Sequence, residues 1–319
     1  MIERRGQSPF NDANLLAALA CYPVDDGRYS RADGLALDEY LDFYGLNFAD
    51  TQCAMGIVGV AGERIAVQTF QPSIGHVGRW ALVCHGYYDH AGLYGYLIQR
   101  LLDRGVGVLI FDHLGHGLST GQPATIDSFQ SYVDVLECIH RLTQDIIGCQ
   151  PSHWIGQSMG GAVLMEYEHQ QQLAPLGEFV LLAPLVRPYG WPLLQWYFAV
   201  IKRWMSVRPR DMRTNMHAEF NEFLTRDPFQ AKILPVAWVQ AMVDWFTRFE
   251  TYPASKVRAR IVQGFADKTV SYRHNLPVLS RRYQRASILT IPEARHHLVN
   301  EIESVQQHLW AWLDRECEW

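Results

Sequence analysis

The sequence lacks any pair of cysteines at the two-residue spacing used for metal or redox work. Its six cysteines, Cys21, Cys53, Cys84, Cys138, Cys149 and Cys317, are scattered along the chain. That scatter leaves no short-range disulfide or metal framework and fits free thiols in a reducing compartment, the cytoplasm. Positive charge is not in excess either. With 28 Lys and Arg against 33 Asp and Glu, the net charge is −5, and no basic stripe is available for nucleic acid. No apolar run approaches the ~20 residues that span a bilayer. Internal repeats and low-complexity tracts are also absent. The short apolar stretch Leu15 to Cys21 follows Asp12 and reads as an N-terminal helix packing Leu15, Leu16 and Leu19 on one face, rather than as a leader.

What is present is an ordinary globular composition, 48% apolar and 19% charged, over 319 residues. That length suits one large domain with an insertion, or two small ones. From Met55 onward, apolar runs bounded by Gly or Asp alternate with helical patterns. Strands are expected at 54–60, 63–71, 79–84, 106–111, 152–156, 178–183, 259–263 and 286–291. The first two are close enough to form a hairpin. The others alternate with helical segments near 92–104, 127–147, 159–172, 272–284 and 298–315. Such alternation requires crossover helices, hence an α/β fold with a mostly parallel eight-stranded sheet covered on both faces.

Three regions follow. Residues 1–50 form an N-terminal extension lying on the main domain. Residues 51–184 and 253–319 make the α/β core. Residues 185–252 lack a strand signal and are dense in aromatics, so they read as a helical cap inserted into the core. Within it, Trp191, Trp196 and Phe198 are candidates to line a substrate pocket. The run from Trp191 to Met205 also carries Lys202 and Arg203 beside bulky apolar residues, a pattern suited to contact with a lipid interface.

The pattern G-x-S-x-G occurs twice, around Ser119 and around Ser158. A reactive serine of this kind sits on a tight turn between a strand and a helix, whose first amides face developing negative charge. Ser158 meets this, with His153-Trp154-Ile155 running in and Gly160-Gly161-Ala162 opening a helix. Ser119 does not. Its nearest strand ends near Phe111, and Gly121-Gln122-Pro123 breaks any helix after it.

A serine hydroxyl needs a base, and the base needs an orienting acid, in the chain order Ser, Asp or Glu, His. Asp267 follows the strand 259–263 across a glycine turn and is the candidate acid. The base should follow the last strand, where His296 and His297 stand side by side; position alone does not separate them. The two amides needed to hold an oxyanion are those of Met159, after the serine, and of Tyr87, in the loop His85-Gly86-Tyr87-Tyr88-Asp89-His90. That loop superficially matches a zinc-binding pattern, but Tyr87 stands where its middle histidine belongs. His113 and His116 lie in a Gly-rich loop rather than on a helix. No metal and no cofactor is expected, and His85 and His116 read as hydrogen-bonded structural histidines.

Together these residues resemble the monoacylglycerol lipase and bacterial lysophospholipase group of the α/β-hydrolases, of the serine aminopeptidase S33 type, over about residues 55 to 315. The resemblance rests on His85-Gly86, His90 and Tyr94; on Asp112, Gly115-His116-Gly117 and Ser119; on Gly156-Gln157-Ser158-Met159-Gly160; and on Ala294-Arg295-His296 with Glu301. Thr225-Arg226-Asp227-Pro228 is similar to a segment of the family's cap. Gln157 replaces the family's usual histidine, which alters the shell behind the serine. The resemblance assigns Ser119 to a structural loop and favours His296 over His297. It implies a carboxylic ester hydrolase acting on a small lipid or ester, by a triad of Ser158, Asp267 and His296. Other chemistry of the same fold, aminopeptidase or acyltransferase, and a non-catalytic ligand-binding role are the rival expectations.

Overall fold

The computed structural model describes residues 12–21, 24–33, 35, 37–74, 77–171, 177–201, 207–209 and 217–319. Eleven strands are found among them: β1 (Tyr29–Arg31), β2 (Thr51–Val60), β3 (Glu63–Pro72), β4 (Arg79–Cys84), β5 (Val106–Phe111), β6 (His153–Gln157), β7 (Glu178–Leu182), β8 (Val207–Pro209), β9 (Ile233–Pro235), β10 (Ala259–Gly264) and β11 (Ser287–Ile291). Nine of them form one sheet in the order β1-β2-β3-β5-β4-β6-β7-β10-β11. The β2–β3 hairpin pairs antiparallel, with Val58 opposite Ile65, and β5 through β11 run parallel across the rest of that order. The fold is that of an α/β-hydrolase. The eight expected strands are joined by β1, whose Tyr29 pairs with Val58. A three-residue strand is too short to leave an alternation in the sequence.

Alternation within the parallel strands decides which residues go to which face. In β4, Trp80, Leu82 and Cys84 enter one apolar cluster, while Ala81 and Val83 enter the other. Every residue of β5 is buried, as expected for a strand with helices on both faces. Burial of a large apolar side chain is worth roughly 1.5–3 kcal/mol, so this double core is what fixes the strand ends that carry the site.

The chain goes from β4 out to β5 and then crosses back to β6 on the other side of β4. This reversal opens a crevice at the carboxyl ends of β4 and β6, where sites on such sheets collect. Between β7 and β10 the chain forms helices Trp191–Ile201, Ala218–Arg226 and Val236–Phe249. The expected all-helical insertion also holds the antiparallel pair β8–β9, each three residues long and each ending in proline. Arg187 grips Glu250 with two hydrogen bonds of 2.5 and 2.6 Å, and Trp245 Nε1 donates to Glu166 at 2.9 Å. The first contact joins the two ends of the insertion to each other, and the second ties the insertion to the core helix that carries Glu166. At the N-terminus, helix Asp12–Ala20 buries Leu15 and Leu19, but Leu16 is 38% exposed and leaves the face expected of it. The step from 15 to 16 turns ~100° around a helix, so only the i, i+4 pair shares the core side. Among the described residues, no helix is long and apolar enough to cross a membrane.

Candidate active site

Ser158 lies between β6 and helix Met159–Gln171, with φ of 53°. A non-glycine residue in that region is strained, at about 1–3 kcal/mol, and is held there by its surroundings. The amide of Ser158 donates to Leu182 O at 2.9 Å, and its carbonyl accepts from Leu185 at 3.0 Å. The strain therefore rests on the serine, while the glycines supply clearance. A Cβ on Gly160 would fall 2.1 Å from the carbonyl oxygen of Cys84. Only glycine lets the start of this helix come so close to the end of β4.

The three residues expected to act together are brought together. His296 Nε2 lies 2.8 Å from Ser158 Oγ, and His296 Nδ1 lies 2.8 Å from Asp267 Oδ2. All three are buried. Asp267 is held by its own loop: Oδ1 accepts from the amides of Thr269 (2.7 Å) and Val270 (3.1 Å), and Oδ2 also accepts from Gln263 Nε2 at 3.0 Å. The loops after β10 and β11 touch directly, with the amide of Ala266 donating to Ala294 O at 3.0 Å, and a Cβ on Gly264 at the end of β10 would lie 2.2 Å from that oxygen. Burial opposes a charged imidazole, but the Asp267 carboxylate outweighs it and holds His296 above its ordinary value of 6.5. For Asp267, burial likewise opposes ionisation, and the pairing with His296 reverses this and keeps its carboxyl below the usual range.

The neighbouring histidines point to different partners. His297 Nε2 contacts Asp89 Oδ2 at 2.9 Å, and its Nδ1 lies 3.1 Å from Asn300 Nδ2. It is buried, so a surface role for it is excluded. Asp89 Oδ2 also accepts from the amide of Gly86 (3.2 Å) and the hydroxyl of Tyr94 (2.9 Å). Burial opposes ionisation of Asp89, but His297 above all, then His85 and the Tyr94 hydroxyl, keep its carboxyl well below the usual range. Asp89 thus pins the loop after β4 to the loop that carries His296, a role with no signal in the sequence pattern.

That loop runs against the serine. A Cβ on Gly86 would sit 3.4 Å from Ser158 Cβ. The amide of Gly86 donates to Asp89 Oδ2 and to the hydroxyl oxygen of Tyr94. Tyr87 follows it, anchored by its hydroxyl to Ala124 O at 2.7 Å and by stacking on Trp238 at 3.6 Å between ring centres. Met159 is buried at the first turn of the helix after the serine. Gln157 contributes from behind: its Nε2 donates to the carbonyl of His296 at 2.9 Å. The glutamine at this position thus holds the backbone of the histidine rather than the reacting atoms.

Other expected residues lie elsewhere. Ser119 Oγ donates to Asp112 O at 2.6 Å and accepts from Ala66 N at 2.9 Å, which ties its loop to β3. His85 joins Gly86 O and His113 N, and His116 contacts Leu114 O. His90 contacts Asp227. The ring nitrogens of His85 and His90 are thus engaged within the protein, whereas both ring nitrogens of His113 are buried without a hydrogen bond among the described residues. Trp191 and Phe198 are buried in the apolar cluster, whereas Trp196 is 75% exposed and does not share their face. Trp191 and Phe198 are seven residues apart, two helical turns, and Trp196 is five from Trp191, on the opposite side. Lys202, Arg203, Trp204 and Met205 lie outside the described residues.

Comparison with known proteins agrees with this architecture. A family profile for "Serine aminopeptidase, S33" matches residues 76–303. The chain is 32% identical over 133 residues to human monoglyceride lipase, covering 41% of this chain and 42% of that one. It is 29% identical over 119 residues to the monoacylglycerol lipase of Mycolicibacterium smegmatis, covering 37% and 42%. The matched stretch spans about two fifths of the length of these relatives. Among solved structures, a soluble variant of the Saccharomyces cerevisiae monoglyceride lipase superposes with a TM-score of 0.69 at 15% identity, over 82% of this chain and 95% of that one. The Paleococcus ferrophilus monoacylglycerol lipase gives 0.62 at 19% identity, over 74% and 93%. At such identities these two structures speak for the fold.

Proposed function

Because the chain belongs to the serine aminopeptidase S33 family of hydrolases, we propose that it cleaves carboxylic esters of lipids, monoacylglycerols or lysophospholipids, through an acyl-enzyme on Ser158. The observation that carries this reading is the unbroken chain of contacts from Ser158 Oγ through His296 to Asp267, 2.8 Å at each step. His296 takes the serine proton as Oγ attacks the ester carbonyl. Asp267 holds the imidazole in the tautomer that leaves Nε2 free to accept, and stabilises its charged form. The amides of Tyr87 and Met159 receive the negative charge on the carbonyl oxygen; losing one such donor costs about 10²–10³ in turnover. His296 then protonates the leaving alcohol. Water, deprotonated by the same nitrogen, releases the fatty acid. No step calls for a metal or a cofactor.

The base must be neutral to act. Its pKa is raised, so activity is complete at alkaline pH and is lost as pH falls through a midpoint above 6.5. A kcat/KM profile with that acid limb is expected. Asp267→Asn, which removes the carboxylate, should move the limb to lower pH. An unmoved limb would separate Asp267 from the base.

The lipid preference is supported by the relatives' names and by the aromatic insertion of residues 185–252, which serves as a cap. On helix Trp191–Ile201, Leu193, Leu194 and Trp196 are exposed large apolar residues. They form the surface that touches a lipid interface, where Trp is favoured. Co-sedimentation with phosphatidylcholine vesicles should fall when Leu193 and Trp196 become Ser together; undiminished binding would remove this surface from the account. The proposal as a whole is tested by a panel of p-nitrophenyl esters, monoacylglycerols, lysophospholipids and aminoacyl anilides. Turnover of the lipid esters above the anilides is the expected outcome, and the reverse order would assign a peptidase.

A further inference from the structure

Helix Asp38–Tyr44, in the region before the core, buries Tyr40, Leu41, Phe43 and Tyr44. Tyr44 stands 183 residues from Asp227 in sequence, yet its hydroxyl donates to Asp227 Oδ1 at 2.8 Å. The other carboxylate oxygen of Asp227 accepts from His90 Nε2 and from Gln230 Nε2, each at 2.9 Å. His90 Nδ1 accepts the amide of Gly92 at 3.2 Å, which leaves the ring proton on Nε2 for Asp227. The side chains of His90 and Asp227 are completely buried. Three separate parts of the chain therefore meet at one carboxylate: helix Asp38–Tyr44, the loop after β4 and the insertion.

The packing supports the same junction. The Tyr44 ring stands edge-on to His90 at 5.0 Å, and Phe43 lies 5.5 Å from Phe223 in the insertion. A Cβ on Gly92 would meet the Tyr44 ring at 2.8 Å, so this glycine is the seat of the tyrosine. From Asp227 the contacts return to the loop that lies against Ser158. Gln230 Nε2 also donates to Tyr88 O at 3.1 Å, and Tyr88 O–H donates to Ile233 O at 3.0 Å. The loop is thereby held at Tyr88 and at His90, directly after Tyr87.

We propose that Tyr44 is a positioning residue for the reaction: by fixing Asp227, it locks His90 and Gln230 and so holds the loop that presents the Tyr87 amide to the oxyanion. This rests on the ester-hydrolase reading of Ser158. Tyr44→Phe keeps the ring packing and removes one donor from a buried carboxylate, leaving Oδ1 the amide of Phe229 at 3.0 Å. Misplacement of an oxyanion donor weakens the transition state and leaves substrate binding in place, so the loss belongs to kcat.

The test compares the wild-type chain with Tyr44→Phe, Asp227→Asn and a remote core truncation, Ile139→Ala. Each is assayed below its melting transition for labelling by a fluorophosphonate and for p-nitrophenyl butyrate turnover. Tyr44→Phe should lower both the labelling rate and kcat by about tenfold, with KM within about twofold. Asp227→Asn should do the same, and carries the test if Tyr44→Phe does not fold. Ile139→Ala should lower the melting temperature and leave both rates within about twofold. Unchanged rates in the first two variants, or an equal loss in Ile139→Ala, overturn the positioning role alone. A wild-type chain inert to the probe overturns the reading of Ser158, and this inference with it.

Discussion

Ser158→Ala abolishes ester hydrolysis, with a loss of about 10⁴-fold or more in kcat, while Ser119→Ala leaves turnover within about threefold of wild type. The two serines sit in the same five-residue pattern and differ in what surrounds them. Ser158 Oγ faces His296 at 2.8 Å from a strained turn at the head of a helix. Ser119 Oγ is occupied by Asp112 O and Ala66 N, away from any base. Its removal strips a partner from a part-buried amide, at a cost of roughly 1–3 kcal/mol. Ser119→Ala should therefore appear in thermal unfolding as a lowered transition, and Ser158→Ala should not. p-Nitrophenyl butyrate assays beside melting curves check both halves. A Ser119 variant that is stable but inactive would reverse the assignment.

The second large effect separates adjacent histidines. His296→Ala should cost at least about 10⁴-fold in kcat with the fold intact. His297→Ala should cost about tenfold in activity and destabilise the protein by roughly 1–3 kcal/mol, because the buried Asp89 loses a hydrogen-bond partner. The smaller kinetic effect travels through Asp89 to the amide of Gly86 and the loop beside Ser158. Denaturant melts and steady-state kinetics on the two variants should give opposite patterns, one kinetic and one thermodynamic. Equal kinetic losses would mean that His297 also touches the reacting atoms.

The parts of this site that were legible in the sequence are those encoded by short-range pattern. The parallel strands announce themselves as buried runs of apolar residues, and β4 and β5 fall where those runs lie. Ser158 is marked by the strand before it and the small residues after it. Asp267 is marked by the glycine turn that closes β10. The two histidines are not separable on spacing, since both follow the same strand, and it is the family resemblance that favours His296. What stayed hidden depends on side chains that meet from distant segments. Asp89 to His297 spans 208 positions and Tyr44 to Asp227 spans 183, and neither leaves a periodicity. Gln157 was visible as a departure, yet only the fold shows that its amide reaches the carbonyl of His296. Composition alone does not set Trp196 apart from Trp191 and Phe198, and helical geometry turns it outward. The strands β1, β8 and β9 are three residues each, below the length at which alternation can be read.

The central claim is covalent, and it can be read as mass. The chain should be mixed with excess p-nitrophenyl butyrate, quenched in acid within the first turnover, and digested for peptide mapping. A butyryl adduct on Ser158 is predicted, absent after alkaline incubation and absent in Ser158→Ala. An adduct on Ser119, or rapid release of p-nitrophenol with no acylated peptide at Ser158, would contradict it.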